Sequence, residues 1–200
     1  MTALPKHTPE IMHEHDPNAS LLAAYVAGDV HAAAALTRAV TPMIYALAMR
    51  MLGEQAAAED VTQDAMLRLW RHAPKWEYGQ AKISTWLYRV ASNLCTDRLR
   101  ARRDFVPADA VAEVVSDDPS AADALQAQVR AAALRDGIAQ LPERQAKAVA
   151  LRHLSNLTNP EIAEIMECRV EAVESLIARG KRQLAAMLAP QKDALGFMDD

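Results

Sequence analysis

The chain has 200 residues, with 22 Lys or Arg against 26 Asp or Glu, six glycines and two cysteines, for a formal net charge of −4. Alanine, Leu, Met, Glu, Arg and Gln dominate, all strong helix formers, and no sustained Val/Ile/Thr alternation supports a sheet. The expected fold class is therefore all-α, with length for two small helical domains whose separate cores would be thin.

Residues 1–19 read as a mobile leader; His7, His13 and His15 lie in it as parts of a polar tail, and no metal site is assigned. Ser20 is placed to cap a first helix carrying Leu21, Leu22, Tyr25 and Val26, which Gly28 ends. Asp29 caps a long apolar helix through Tyr45, Leu47 and Met51, with Gly53 as its stop and Pro42 as a bend or a break. A third helix is expected over about 56–71, then a loop over 73–82 holding Pro74, Trp76, Tyr78 and Gly79. The fourth helix, roughly 84–103, ends in Arg98, Arg100, Arg102 and Arg103.

Residues 104–119 combine prolines with a run of carboxylates, the composition of a flexible acidic linker. Beyond it a second helical domain spans 120–188, and 189–200 form a frayed tail. Pro142 opens one helix there. Asn159 is placed to cap a short helix with Ile162, Ile165 and Met166 on one face, and Pro160 sits where a missing N–H costs nothing. After a four-residue break a longer helix buries Val170, Val173, Ile177 and Leu184. Two short helices joined by a tight turn, the second ending basic, outline a helix-turn-helix.

The acidic total hides a polarised distribution. Residues 71–103 hold eight Lys or Arg against Glu77 and Asp97, whereas 104–136 hold seven acids against Arg130 and Arg135. The first block suits a phosphate backbone and the second repels one. Cys95 and Cys168 lack metal-ligand spacing and read as ordinary thiols of a reducing compartment. No apolar signal core and no membrane-length stretch is recognised, so a cytoplasmic protein without a membrane span is expected.

Three surfaces carry the functional reading. On the third helix, Asp60, Gln63 and Asp64 share a displayed face with Leu67 and Trp70 beside it, a mixture suited to protein docking or, residue by residue, to plain solubility. The fourth helix and its loop offer Lys82, Trp86, Arg89, Asn93, Arg98 and Arg100, followed by Arg102 and Arg103. Aromatic faces for stacking, cations for phosphates and an amide for a base edge suit opened DNA, although Trp86 fits a core role better. On the last helix, Arg169 stands at the start, Glu171, Ala172 and Ser175 follow, and Arg179, Lys181 and Arg182 suit backbone phosphates. No carboxylate pair, nucleophile–base set or phosphate loop supports an enzyme, so no catalytic residue and no cofactor is assigned.

Taken in order, AEDVTQDAMLRLWR, ISTWLYRVASNLCTDRLRARR, LPERQAKAVALRHLSNLTNPEIAEIM and VEAVESLIARGKRQL make the chain resemble the extracytoplasmic-function sigma factors, group 4 of the sigma-70 family, over about 20–188. The resemblance implies that residues 20–103 are a region 2 that docks on core RNA polymerase through Asp60, Gln63, Asp64, Leu67 and Trp70 and captures melted −10 DNA. It implies a region 4 over 120–188 that reads the −35 duplex, and an anti-sigma protein as a further partner. A compact inhibited form is expected to mask the faces bearing Arg98 and Arg179. Three positions depart from the common family pattern: Glu167 stands where the turn usually has glycine, Glu174 where a basic residue is common, and Ile83 where an aromatic is frequent. A duplex-binding regulator or sigma-like antagonist acting without polymerase is the other reading the residues allow.

Overall fold

Order begins before Ser20. Asp16 is the true cap of the first helix: its Oδ1 accepts the Asn18 N–H at 3.0 Å, and its Oδ2 accepts the Ile83 N–H at 2.8 Å. One carboxylate thus ties together the starts of two helices far apart in sequence. The computed structural model describes residues 16–79, 81–105, 119–192 and 195, and the described residues contain helices and turns but no strand. The helices are α1 (Pro17–Val26), α2 (Val30–Leu52), α3 (Gln55–His72), α4 (Ile83–Phe105), α5 (Pro119–Gln140), α6 (Glu143–His153), α7 (Asn159–Ile165) and α8 (Val170–Leu188). The histidines of the leader and residues 106–118 of the expected linker lie outside the described residues.

Asp29 caps α2 as expected, accepting from His31 and Ala32, and Gly53 ends it in the left-handed region at φ +71°. Pro42 neither divides nor ends α2, which runs unbroken through it. By length and composition α2 could cross a membrane, contrary to the expectation that no such stretch exists. Its stripe of Ala32, Leu36, Val40, Ile44, Leu47 and Met51 is instead buried in the bundle. Leu36, Val40, Ile44, Leu47 and Met51 of that stripe meet Val61, Ala65 and Leu69 of α3 and Ile83, Leu87 and Ala91 of α4 in one apolar cluster.

In the C-terminal half, α6 and α8 approach closely at Gly180, where an added Cβ would lie 2.6 Å from Val149 Cγ2. The start of α7 is set by Thr158 rather than Asn159. Thr158 and Glu161 exchange side-chain and backbone bonds in a capping box, which leaves Asn159 as the first helical residue. Asp104 and Phe105 belong to α4 and Pro119 to α5, so both ends of the expected linker are helical. The expected tail is also partly engaged: Leu195 is buried and its carbonyl accepts from Arg130 Nε at 2.7 Å.

The two halves are not held apart. Ala150, Leu151, Ile162, Ala163, Ile165 and Val173 belong to the same buried cluster as Leu36, Leu47, Leu87 and Leu94. α4 packs against α5, α6 and α7, and the Arg135 side chain of α5 lies directly over Gly53, leaving no room for a Cβ. A smaller cluster of Ile138, Leu141, Ala146, Val149 and Leu184 completes the C-terminal half. Each half supplies apolar surface that the other needs, because two thin cores bury more when shared. Asp16→Ala removes two helix-start acceptors at once and is expected to lower unfolding free energy by about 1–2 kcal/mol, read by urea denaturation followed at 222 nm.

Candidate nucleic-acid interface

The α3 face is displayed as expected, but not all of it is free. Asp60, Gln63 and Leu67 are exposed, Leu67 at 50%. Trp70 is half-buried against Tyr25, ring centroids 4.7 Å apart, so α1 holds part of it. Asp64 forms an ion pair with Arg98 at 3.4 Å, linking the docking candidate on α3 to a DNA candidate on α4. At this half-exposed site the pair contributes little stability, but it fixes the direction of both side chains.

The α4 candidates divide by what they touch. Trp86 is half-buried, parallel to the His72 ring at 5.5 Å and edge-on to Trp76 at 6.0 Å, which gives it a packing role beneath the loop. Tyr78 in that loop is exposed at 52%. Lys82 is exposed and its charge acts on Glu161 of α7. Arg100 pairs with Asp97 at 3.2 Å one turn away, and Arg102 donates to the Leu52 carbonyl at the end of α2 at 3.3 Å. The side chain of Arg103 lies outside the described residues.

Arg89 and Asn93 face the C-terminal half. Arg89 donates to the Ile165 carbonyl at 3.0 Å and the Glu164 carbonyl at 3.1 Å, and it pairs with the Glu167 carboxylate. Both carbonyls lie at the end of α7, where Glu164 O also accepts the Glu167 N–H at 3.4 Å, so an arginine of α4 adds a cation to a helix end of the other half, where one is favoured. Glu167 sits at φ +50° in the turn, with Cys168 N–H bonded to Ala163 O at 3.0 Å. That is the left-handed position glycine fills without strain, and a side chain there costs about 1 kcal/mol. Asn93 Oδ1 accepts from Lys147 Nζ, and Arg50 donates to the Leu154 carbonyl that ends α6.

Lys147 is only 9% exposed, and its burial pulls its pKa below the usual lysine value, with Glu143 opposing. Burial likewise pushes the half-buried Tyr88 phenol upward, with Arg50 opposing. The Cys95 thiol is pushed up to about 12 by burial, leaving it protonated and inert, as expected of an ordinary core thiol. Lys147, Arg50 and Asp16 were not legible as interface or joining residues. A lysine inside ERQAKAVALRH offers no signal that it is buried, whereas Glu167 was marked by its departure from glycine.

The α8 candidates are open. Arg169, Glu171, Ser175, Arg179, Lys181 and Arg182 are exposed and Ala172 is half-buried. Among the described residues, Arg179 Nε bonds back to its own helix at Ser175 O, 3.1 Å. Glu174 receives a long contact from Asn159 Nδ2 at 3.5 Å, which holds its carboxylate toward α7. In the chain by itself Arg89 is half-buried against α7, Asn93 is exposed with its amide oxygen engaged by Lys147, Arg98 is held by Asp64 and Arg179 is exposed; the expected masking of Arg98 and Arg179 concerns a partner-bound form. Arg179 is exposed because α6 and α7, not the outer face of α8, lie against α4.

Comparison with known proteins finds two matching family blocks. Sigma-70 region 2 matches residues 36–105 and Sigma-70 region 4 matches residues 131–184. The ECF RNA polymerase sigma factor SigW of Bacillus subtilis is 30% identical over 171 residues, 80% of this chain and 91% of that protein. SigM of Mycobacterium tuberculosis, also an ECF RNA polymerase sigma factor, is 33% identical over 176 residues, 88% of this chain and 86% of that protein. Among solved structures, CnrH in complex with the cytosolic domain of CnrY has a similar fold at TM-score 0.62 and 22% identity, covering 86% of this chain and 97% of that one. The sigma factor RpoE of Bartonella quintana, solved with the anti-sigma factor NepR, follows at TM-score 0.51 and 21% identity, covering 76% and 94%.

The capping box that starts α7 gives a pH test. Bonds from the Thr158 side chain and backbone, aided by Lys82, hold the Glu161 carboxyl below its usual value of 4.5. A depressed carboxyl contributes stability that is complete above the ordinary value and disappears as pH falls through the folded one. Glu161→Gln should therefore be about 0.5 kcal/mol less stable than the parent near neutral pH. The difference should close in acid, measured by denaturant midpoints across a pH series.

Proposed function

The chain belongs to the extracytoplasmic-function sigma factors of the sigma-70 family, and from that premise we propose how its surfaces divide the work of initiation. As a member it binds core RNA polymerase and directs it to promoters; the polymerase supplies the chemistry, and the chain is not an enzyme. Residues 20–103 act as the polymerase- and −10-binding unit and 120–188 as the −35-binding unit, with 104–119 as the connection between them. Asp60, Gln63 and Leu67 form the displayed centre of the polymerase-docking face, and Asp64 and Trp70 complete its edge.

Lys82, Arg89, Asn93, Arg98 and Arg100 meet the opened −10 strand, with Arg102 and Arg103 extending the cationic track and Trp86 supporting the loop from below. Arg169, Glu171, Ala172 and Ser175 enter the −35 major groove, while Arg179, Lys181 and Arg182 hold its phosphates. A cytoplasmic location and control by an anti-sigma partner complete the reading, supported by the RpoE relative having been solved with one.

The observation that carries the assignment is the pairing, in one chain and in family order, of block 36–105 with block 131–184. A regulator acting on duplex DNA alone would need only the second. The test is transcription from a pool of promoter fragments by core polymerase with and without the chain, with start sites mapped. No start point dependent on the chain would refute the reading. Asp60→Lys with Gln63→Ala should weaken association with core polymerase about tenfold while leaving duplex binding unchanged. In salt titrations of promoter binding, Arg179→Ala and Arg182→Ala should each reduce the logarithmic slope by about one.

A further inference from the structure

The outer face of α8 is a helical row of exposed residues, Glu171, Glu174, Ser175, Ala178, Arg179 and Arg182. Its chemistry changes along the helix. The cations stand in the later turns, whereas the first turns carry two carboxylates and a hydroxyl. In a helix-turn-helix the first turns of the second helix are the ones that meet base edges. Glu174, the fifth residue of α8, is placed there, although DNA phosphates repel a carboxylate unless a specific donor receives it.

Glu174 is also aimed. Asn159 Nδ2, at the start of α7, donates to its Oε1 at 3.5 Å. Among the described residues no cation pairs with Glu174 and no donor meets its Oε2. An ion-pair role within the fold is therefore absent there, and one acceptor stays available while the other is held. Glu171 lies one turn earlier and has no such tether among the described residues.

We infer that Glu174 is a specificity-determining residue for the −35 element, its Oε2 accepting a hydrogen bond from the N4 amino group of a cytosine in the major groove. This rests on the assignment of α8 to the −35 duplex and names a base that it reads. An ionised carboxylate can only accept. Guanine offers it N7 and O6 and thymine offers O4, all acceptors that repel it. Adenine sets its N6 amino group beside the N7 acceptor, an edge that suits an amide better. Cytosine presents a donor with no acceptor next to it. The Asn159 bond limits the side-chain freedom that Glu174 loses when the base arrives.

The test uses core polymerase and the full chain on promoter fragments with a randomised upstream element, sequencing the templates that give chain-dependent starts. The wild-type chain should favour cytosine about tenfold at one upstream position. Glu174→Gln should move that preference to adenine, and Glu174→Arg should move it to guanine, with the other positions unchanged. A purely structural role would instead lower transcription from all templates alike. The inference is overturned if no upstream position favours cytosine, or if Glu174→Gln keeps the wild-type preference throughout. If no start depends on the wild-type chain, the underlying sigma-factor reading fails instead.

Discussion

A helix leaves its last carbonyls without partners, and in an all-helical chain with few glycines those carbonyls must find donors elsewhere. Arginines from neighbouring helices meet that need here. Arg50 reaches the end of α6, Arg89 the end of α7, and Arg102 the end of α2, while Arg152 donates to the Leu157 carbonyl in the connection into α7. Two of these contacts cross between the N-terminal and C-terminal halves, so helix termination and domain closure become the same interaction. Apolar burial supplies the bulk of the attraction between the halves. The arginines fix their register, because a guanidinium satisfies a carbonyl only within a narrow range of positions.

The same chemistry explains how an acidic protein carries cationic DNA-binding candidates. A guanidinium that caps a helix also fits a phosphate, and the two uses exclude each other at a given moment. Along α4 the candidates are graded by how firmly they are engaged. Arg102 is bound to a helix end and Arg98 to Asp64, while Arg89 is bound to a turn that belongs to the other half. Only the last of these contacts breaks when the halves separate. Acidic and basic residues are unevenly distributed along the chain, so the net charge of −4 says little about any one surface.

What was legible in the sequence follows from whether the relevant interaction is local. Asp29 and Gly53 bound α2 through contacts within a turn, and both could be read directly. Asp16 could not, because half of its role is a bond to Ile83 across 67 positions. At α7 the Thr158–Glu161 spacing was a local signal of the cap, but Pro160 drew the start one residue late by standing at the second helical position. The exposure of the α3 stripe and of the outer α8 face came out largely as expected, since surface stripes obey helical period. The shared core did not, because Ile162 and Ile165 satisfy the pattern of a self-contained hairpin equally well whether they are covered by α8 alone or by α4 also.

Glu167 shows how these levels couple. In the closed chain its strained backbone, costing about 1 kcal/mol, is offset by an ion pair of comparable size. When the halves part, the pair is lost but the φ of the turn must stay positive, because the bond from Cys168 N–H to Ala163 O depends on it. The strain is then uncompensated, and the helix-turn-helix is less stable open than closed by roughly the worth of the pair.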